Sequence, residues 1–506
     1  MTIRFLSSPL LWIVLPGLSG FLLWFLRRRQ GWVIILSTLL CLTLAALAWV
    51  APIGRVIHIG PLSLTIDSTL AFAGRKLVLD NGDQTFLIFI FMLCAFYFAG
   101  SYAVGANQLL IPFGLGMLAL LVAAQAVEPF LYAALLVEMA VLLAVPVLAP
   151  PGKLFGQGVL RFLIFQTLGM PFILLAGWAL AGVEADPSNQ TLITVSAAVL
   201  GLGFGFWLAI FPFYTWVPLL AEQSFPYVTG FVLLLLPTSI LLLGLNFLNN
   251  FGWLRASQEL FSIMRSIGVL MIVTAGLWSA FQKDLARLFG YAVIVETGFS
   301  LLAISLGSHT GNELFTSMFL PRLFGLSLWA LSLSIMLQQA RSTRFEDVQG
   351  LALRVPFASA GLAVASLTLG GLPLLAAFPI REVLLEEISR SSLPDGLGAL
   401  AGMVGMLFST FRALAVLARG PRAAAAPVVG SQAETLAPVT GPRDATAPAG
   451  APPPLEDLPL PVTYCETRTQ IVLIAIASLV LLVIGLFPQV FSTWLNGLLV
   501  AFPQLP

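Results

Sequence analysis

Glu138 and Glu296 are the residues best placed to carry chemistry in this sequence, because each is an acid inside a long apolar run. Glu138 sits in Leu135-Leu136-Val137-Glu138-Met139-Ala140, and Glu296 in Tyr291-Ala292-Val293-Ile294-Val295-Glu296-Thr297-Gly298. A charge at the centre of a bilayer costs roughly 2.5–3.5 kcal/mol on insertion scales, so acids are kept there for pairing or for function. The chemistry that suits them is proton relay. No basic residue falls within a helical turn of Glu138, and any partner must come from another helix. The competing reading is a hydrogen-bonded glutamate that only fixes helix packing. Arg161 and Arg322, in other apolar runs, are candidate counter-charges. Guanidinium keeps its proton in proteins, so an arginine tunes a neighbour and does not relay, and each could instead snorkel to a headgroup. Lysine is scarce: Lys76, Lys153 and Lys283 are expected in loops, as are His58 and His309.

The remaining chemistry is quickly bounded. Cys41, Cys94 and Cys465 are too far apart in sequence to suggest a disulfide framework or a metal centre. Gly201-Leu202-Gly203-Phe204-Gly205 superficially resembles a dinucleotide fingerprint, but it lies inside an apolar span and not after a strand, so close helix packing is expected there. No phosphate-binding loop, haem motif or nucleophile elbow occurs, and no redox cofactor is expected in this chain. A formal net charge of +1 argues against a nucleic-acid partner.

The elements that must position the two acids follow from composition. Of 506 residues, 59% are hydrophobic and only 9% charged, against roughly 25% in soluble domains. With a mean hydropathy of +0.98, the solvent of this chain is mostly lipid. Apolar stretches near the ~20 residues needed to cross a bilayer fall at 9–26, 31–52, 85–104, 108–127, 129–149, 158–182, 190–212, 227–249, 261–280, 287–307, 313–338, 355–380, 397–418 and 469–488. The expectation is therefore an integral membrane protein of about fourteen helices. Residues 1–25 are read as its first membrane helix and not a cleavable signal, since the basic run Arg27 to Arg29 follows the apolar stretch.

Basic loops give an orientation, because positive loops stay on the cytoplasmic side. Arg27 to Arg29, Lys153, Lys283 with Arg287, the group Arg341, Arg344 and Arg354, and Arg419 with Arg422 fall on one side when fourteen spans are counted. Arg55, Arg75, Lys76, Arg381 and Arg390 then fall on the other, outer side, together with both chain ends. The division expected is N-terminal helices in 1–104 with an outer loop over 53–84, a core over 105–419, a linker over 420–468, and a last helix and tail over 469–506. The outer loop alternates apolar and polar residues and predicts a small β-hairpin. The Ala/Pro-rich segment from Gly420 to Pro461 has too few large apolar residues to offset its ordering entropy and is expected to be a disordered tether. Pro212, Trp216, Pro218 and Glu222 mark a bend between two spans, a feature tolerated at membrane depth where it is packed in protein or lines a wet cavity.

Several stretches, in this order and spacing, resemble the membrane subunits shared by proton-translocating NADH:quinone oxidoreductase, multisubunit Na+/H+ antiporters and membrane-bound hydrogenases. Phe211-Pro212-Phe213-Tyr214-Thr215-Trp216-Val217-Pro218 is similar to the PFHxWLP bend of that family, with Tyr214 where histidine is usual. Gln282-Lys283-Asp284-Leu285-Ala286-Arg287, with Tyr291 and Gly298, resembles its Q-x-D-x-K-R…Y…G signature. Gly371-Leu372-Pro373 with Phe378 is similar to the G-L-P-P…G-F break, and Gly485-Leu486-Phe487-Pro488 to the close of the final core helix. The resemblance runs from about Asp80 to Gln489.

That resemblance implies two inverted five-helix repeats with broken helices around 212–226 and 370–379. It also implies a glutamate on the fifth helix, matched by Glu138, paired with a lysine beyond the proline bend. The lysine is expected within Leu236-Pro237-Thr238-Ser239 and is missing. Arg322 and Arg381 stand where later lysines are usual, Arg161 takes another usually lysine-containing place, and Glu296 replaces a relay histidine. The implied role is a membrane-arm subunit of a complex I-like, proton-translocating quinone oxidoreductase in an energy-coupling membrane such as the bacterial plasma membrane. Its implied partners are other membrane subunits and protons or Na+. The alternatives are a degenerate structural subunit that moves no ions, or the membrane subunit of a cation/proton antiporter or of an inorganic-carbon uptake complex.

Overall fold

The structure is a computed structural model that describes every residue except 1, 52, 55, 60–61, 73, 150–155, 186–188, 421–465 and 506. Arg55, Lys153, Arg422, Cys465 and nearly all of the expected tether therefore lie outside the described residues.

The chain opens as strand β1 (Thr2–Ser7) and a π-helical turn (Leu10–Val14) that runs into α1 (Leu15–Phe25) and α2 (Gln30–Val50). Strands β2 (Val56–Ile59), β3 (Leu62–Asp67), β4 (Thr69–Phe72) and β5 (Arg75–Val78) follow, then α3 (Gln84–Gly100), α4 (Leu110–Ala126), β6 (Val127–Glu128) and α5 (Ala133–Leu148). The next helices are α6 (Gln157–Ala185), α7 (Gln190–Trp207), α8 (Trp216–Gln223), α9 (Pro226–Asn250), α10 (Gly252–Arg255), α11 (Gln258–Ser279), α12 (Leu285–Ile304) and α13 (His309–Ser317). The chain closes with α14 (Phe319–Ala340), α15 (Pro356–Gly370), α16 (Phe378–Ser391), α17 (Leu393–Ala418), α18 (Arg468–Leu486) and α19 (Pro488–Leu495).

Among the described residues, eight helical stretches are long and apolar enough to cross a membrane, and six further apolar helices are shorter. The most enclosed is α9, whose best spanning window is 94% buried, whereas that of α2 is 33% buried and faces outward. A central helix apolar on every side is what a bundle in lipid requires. Helix α9 touches α4, α5, α12 and α14, so it forms the axis around which the candidate residues are arranged.

The fold is not wholly α-helical. Two small three-stranded sheets form, in orders β1-β3-β2 and β4-β5-β6. The hairpin expected in the outer loop is present as β2 against β3, with His58 opposite Ser63. The expectation that the chain starts directly as a membrane helix is corrected, since Thr2–Ser7 pairs parallel with β3 before the first helix begins. Lys76 likewise lies in β5, not in a loop.

Three local departures from helix bear on the candidate residues. The span expected over 313–338 is two helices meeting at Met318. Pro321 explains the joint: it lacks an N–H, and its ring crowds the carbonyl four residues back, Ser317, which is where α13 ends. Between α7 and α8 the chain leaves α-geometry, with one 3₁₀ turn at Phe213–Thr215. Tyr214, Trp216 and Val217 are buried there, and Gly290 of α12 lets that helix approach so closely that an added Cβ would lie 2.6 Å from the Cα of Pro218. This bend is thus packed in protein. The third departure separates α15 from α16, where Gly371 adopts φ +79° and ends α15 with a left-handed cap. Gly485 of α18 sits against this break, and a Cβ there would stand 2.8 Å from the Leu374 carbonyl oxygen.

The described chain resumes at Glu466, inside the segment expected as linker. Its carboxylate accepts from the backbone N–H groups of Phe357 (3.1 Å) and Ala358 (2.7 Å) at the start of α15, which supplies the negative group a helix N-terminus favours. The Gly-rich run in α7 packs only in part: Gly203 faces Ile173 of α6, while Gly201 meets nothing and borders an apolar cavity.

Candidate ion-transfer centres

Two buried acidic centres flank α9. The first is Glu138 in the middle of α5, 9% exposed. Thr167 of α6 donates its hydroxyl to Glu138 Oε1 at 2.8 Å. Among the described residues Oε2 has no hydrogen-bond partner, and no cation pairs with the carboxyl. This is a polar group with spare hydrogen-bonding capacity in an apolar setting. Thr167→Val removes its one donor and is expected to lower stability by about 1–3 kcal/mol, the usual cost of stranding a buried acceptor. The check is the thermal midpoint of the purified assembly, with Thr167→Ser expected to retain the parent value.

The second centre joins three helices. Glu296 of α12 is 3% exposed and Arg381 of α16 is 2% exposed, and Arg381 Nη2 donates to Glu296 Oε1. The backbone itself calls for a guanidinium at this point. In an unbroken helix the Leu369 carbonyl would accept from residue 373, but Pro373 has no N–H to give. Arg381 Nη1 donates to that orphaned carbonyl instead. The guanidinium also stacks over Phe299, 4.3 Å from the ring centroid. Arg381 thus caps a broken helix and neutralises a buried acid with one side chain.

Arg322, placed just after the joint at Met318, completes the group. Its Nη1 lies 3.3 Å from Ser300 Oγ and its Nη2 3.5 Å from Thr297 Oγ1, both on α12, while Nε finds no partner. One guanidinium therefore contacts the carboxylate, and a second lies against the Thr297 and Ser300 hydroxyls of the same helix. Arg381, expected in a loop, lies instead in helix α16 and is buried inside the bundle. Arg161 is also corrected, since it is exposed on α6 and joins neither centre. The bend residues Pro212, Tyr214, Trp216 and Pro218 contribute the packed α7–α8 turn and touch neither carboxylate directly.

The connecting helix α9 is not inert. Thr238 and Ser239, which occupy the stretch where the resemblance places a lysine, are buried with hydroxyls that have no partner among the described residues. Gln125 of α4 donates to the Ser239 carbonyl at 2.7 Å, and Asn246 lies 3.4 Å from Gln125 Oε1. These groups, with Thr167, Thr297 and Ser300, were missed by a reading confined to ionisable residues. A signal existed in Gln125 and Asn246, which are amides inside apolar spans and need partners there.

The helices that carry the second centre have known counterparts. Residues 178–409 match the transmembrane family described as NADH:quinone oxidoreductase/Mrp antiporter. That match covers a little under half of the chain. The matched region holds α7 to most of α17, and with them Glu296, Arg322 and Arg381. Over 240 residues the chain is 27% identical to NADH-quinone oxidoreductase subunit N of Chloroflexus aggregans. The match spans about half of each chain, 46% of this one and 47% of the relative. Among solved structures, similarity extends over nearly the whole chain. For the Mrp complex of a Dietzia species the TM-score is 0.79, with 16% identity and coverage of 99% of this chain and 97% of the other. For the archaeal membrane-bound sulfane sulfur reductase it is 0.75, with 17% identity and 98% of each chain covered. For respiratory complex I of Thermus thermophilus it is 0.69, with 18% identity and coverage of 96% and 99%. At these identities the likeness is one of fold, and the site residues of this chain rest on their own geometry.

Proposed function

We propose that this chain is a membrane-arm subunit of a complex I-like quinone oxidoreductase and contributes to proton translocation through Glu138, with Glu296 and its two arginines as an electrostatic partner centre. The observation that carries the reading is Glu138: a buried carboxyl with one hydroxyl donor, one free oxygen and no cation. Such a group can take and give a proton within the bilayer. The unpaired hydroxyls of Thr238 and Ser239 on α9, which touches both α5 and α12, supply hydrogen-bonding steps between the centres. In this reading the eight long and six shorter apolar helices make fourteen crossings, arranged as two inverted five-helix repeats, and the basic loops face the cytoplasm.

A second reading is favoured by a specific observation. Glu296 is in contact with a guanidinium, and the position expected to hold lysine carries only hydroxyl side chains. A chain built this way could seal or space a membrane arm without moving ions. The partner type is tested by purifying the tagged chain in mild detergent from its native membrane. Recovery with electron-transfer subunits and quinone-dependent proton uptake is the result expected. Recovery with membrane subunits alone, active in cation/proton exchange, would assign it to an antiporter assembly instead.

A further inference from the structure

One polar cavity of about 520 Å³ lies away from both acidic centres, where four segments of the chain converge: the end of α8, the start of α12, the loop after α14 and the end of α17. Five cations border it, Lys283, Arg287, Arg344, Arg412 and Arg419, with three acids, Glu222, Asp284 and Glu346. Two of the acids are already engaged. Asp284 Oδ1 accepts from the Ala286 and Arg287 N–H groups at 2.8 and 3.0 Å, and its Oδ2 accepts from Thr343 at 2.8 Å. Glu222 is paired with Arg287, whose Nε and Nη2 lie 2.8 and 2.7 Å from Oε2. Four cations then remain around the cavity against Glu346 and Asp284, whose hydrogen bonds come from neutral donors and leave its charge in place. Among the described residues none of the four has an ion-pair partner.

The arrangement is also fixed in place. The Phe345 N–H donates to the Lys283 carbonyl (2.9 Å), the Leu285 N–H to the Thr343 carbonyl (2.9 Å), and the Gly350 N–H to the Val416 carbonyl (3.3 Å). Arg412 lies 5.2 Å from the centre of the Phe345 ring. Its Nε and Nη2 are out of contact with solvent and have no acceptor among the described residues. Like charges gathered around one cavity, with donors unfilled, are stabilised by an anion that accepts from several of them.

We propose that this cavity binds the phosphate of an acidic phospholipid. Two membrane helices, α12 and α17, begin and end at the cavity, which sets it at headgroup depth, and Ala415 and Val416 line it beside the cations. Oxyanion oxygens meet Arg344 and Lys283, the Arg412 guanidinium adds its charge to the cavity wall, and the glycerol backbone leaves along α17. Lipid and chain are thereby joined at the loop that follows the Arg322 helix, and the site is separate from any proton step.

The test uses the native assembly in vesicles containing either photoactivatable phosphatidylglycerol or photoactivatable phosphatidylcholine. Cross-links are mapped by mass spectrometry in the parent, Arg344→Gln and Arg412→Gln. The expected result is phosphatidylglycerol labelling around Phe345 and Val416, reduced roughly tenfold by each substitution, as loss of one charge-assisted hydrogen bond implies, with phosphatidylcholine at background. Arg344 is exposed, so its variant decides the matter even where Arg412→Gln fails to assemble. Labelling that survives excess inorganic phosphate identifies a lipid ligand, while labelling quenched by it identifies a phosphate site open to the free anion and overturns the lipid assignment. Equal labelling by both lipids, or no change in Arg344→Gln, would likewise overturn the proposal.

Discussion

Replacing Arg381 by Met is expected to lose most of the assembled protein, with a cost of about 3–5 kcal/mol for leaving the Glu296 carboxylate buried without its pair. That is a large part of the 5–15 kcal/mol by which domains are typically stable. The Leu369 carbonyl loses its donor at the same time, a further cost of about 1–3 kcal/mol that falls on the broken end of α15. The two costs separate in a double-mutant cycle. Glu296→Met with Arg381→Met removes the contacting pair but leaves Arg322 buried without its acid, so it is expected to recover only part of the first cost and none of the second. Arg381→Lys is expected to fall between, because one ammonium cannot present the planar fork that reaches a carboxylate and a carbonyl together. Yield of assembled complex and its thermal midpoint are the readouts. Equal stability of Arg381→Met and the parent would mean that the pair is not the element that holds α12 and α16 together.

Much of this architecture is legible in the sequence because lipid imposes a simple rule: backbone groups must be satisfied within helices, and helices must be long and apolar. Each expected span contains an observed helix, and Glu138 and Glu296 stand out because acids are costly in such runs. What escaped the sequence has identifiable causes. Pro321 sits in an apolar span, and only its clash with the Ser317 carbonyl shows that the span is two helices. Arg381 follows a proline break and reads as an outer loop residue; its interior position depends on the carbonyl that Pro373 leaves free, a relation across the fold. Arg161, near the start of one apolar run, and Arg322, inside another, are both candidate counter-charges in the sequence, yet one is exposed and the other buried, because helix position in the bundle decides which face meets lipid. The strand Thr2–Ser7 depends on a partner more than fifty residues away and has no local signature strong enough to compete with the apolar run after it.

The second large effect concerns Glu138. Glutamine keeps the size of the side chain and an oxygen for Thr167 to donate to, while removing the group that can exchange a proton. Stability and assembly of Glu138→Gln should therefore match the parent. Proton transfer through this chain should fall at least about a hundredfold, the lower end of what a positioned acid–base group contributes. Other subunits of an assembly would continue to pump, so the quantity to follow is the number of protons moved per electron pair.

The most direct measurement is driven proton uptake in vesicles holding the purified native assembly, comparing parent with Glu138→Gln at equal electron-transfer rate and equal subunit content. A lower proton yield per electron pair, with the complex intact, is the predicted result and makes Glu138 a working member of the path. An unchanged yield would contradict the account, remove this carboxyl from proton movement, and leave the chain as a structural part of the membrane arm.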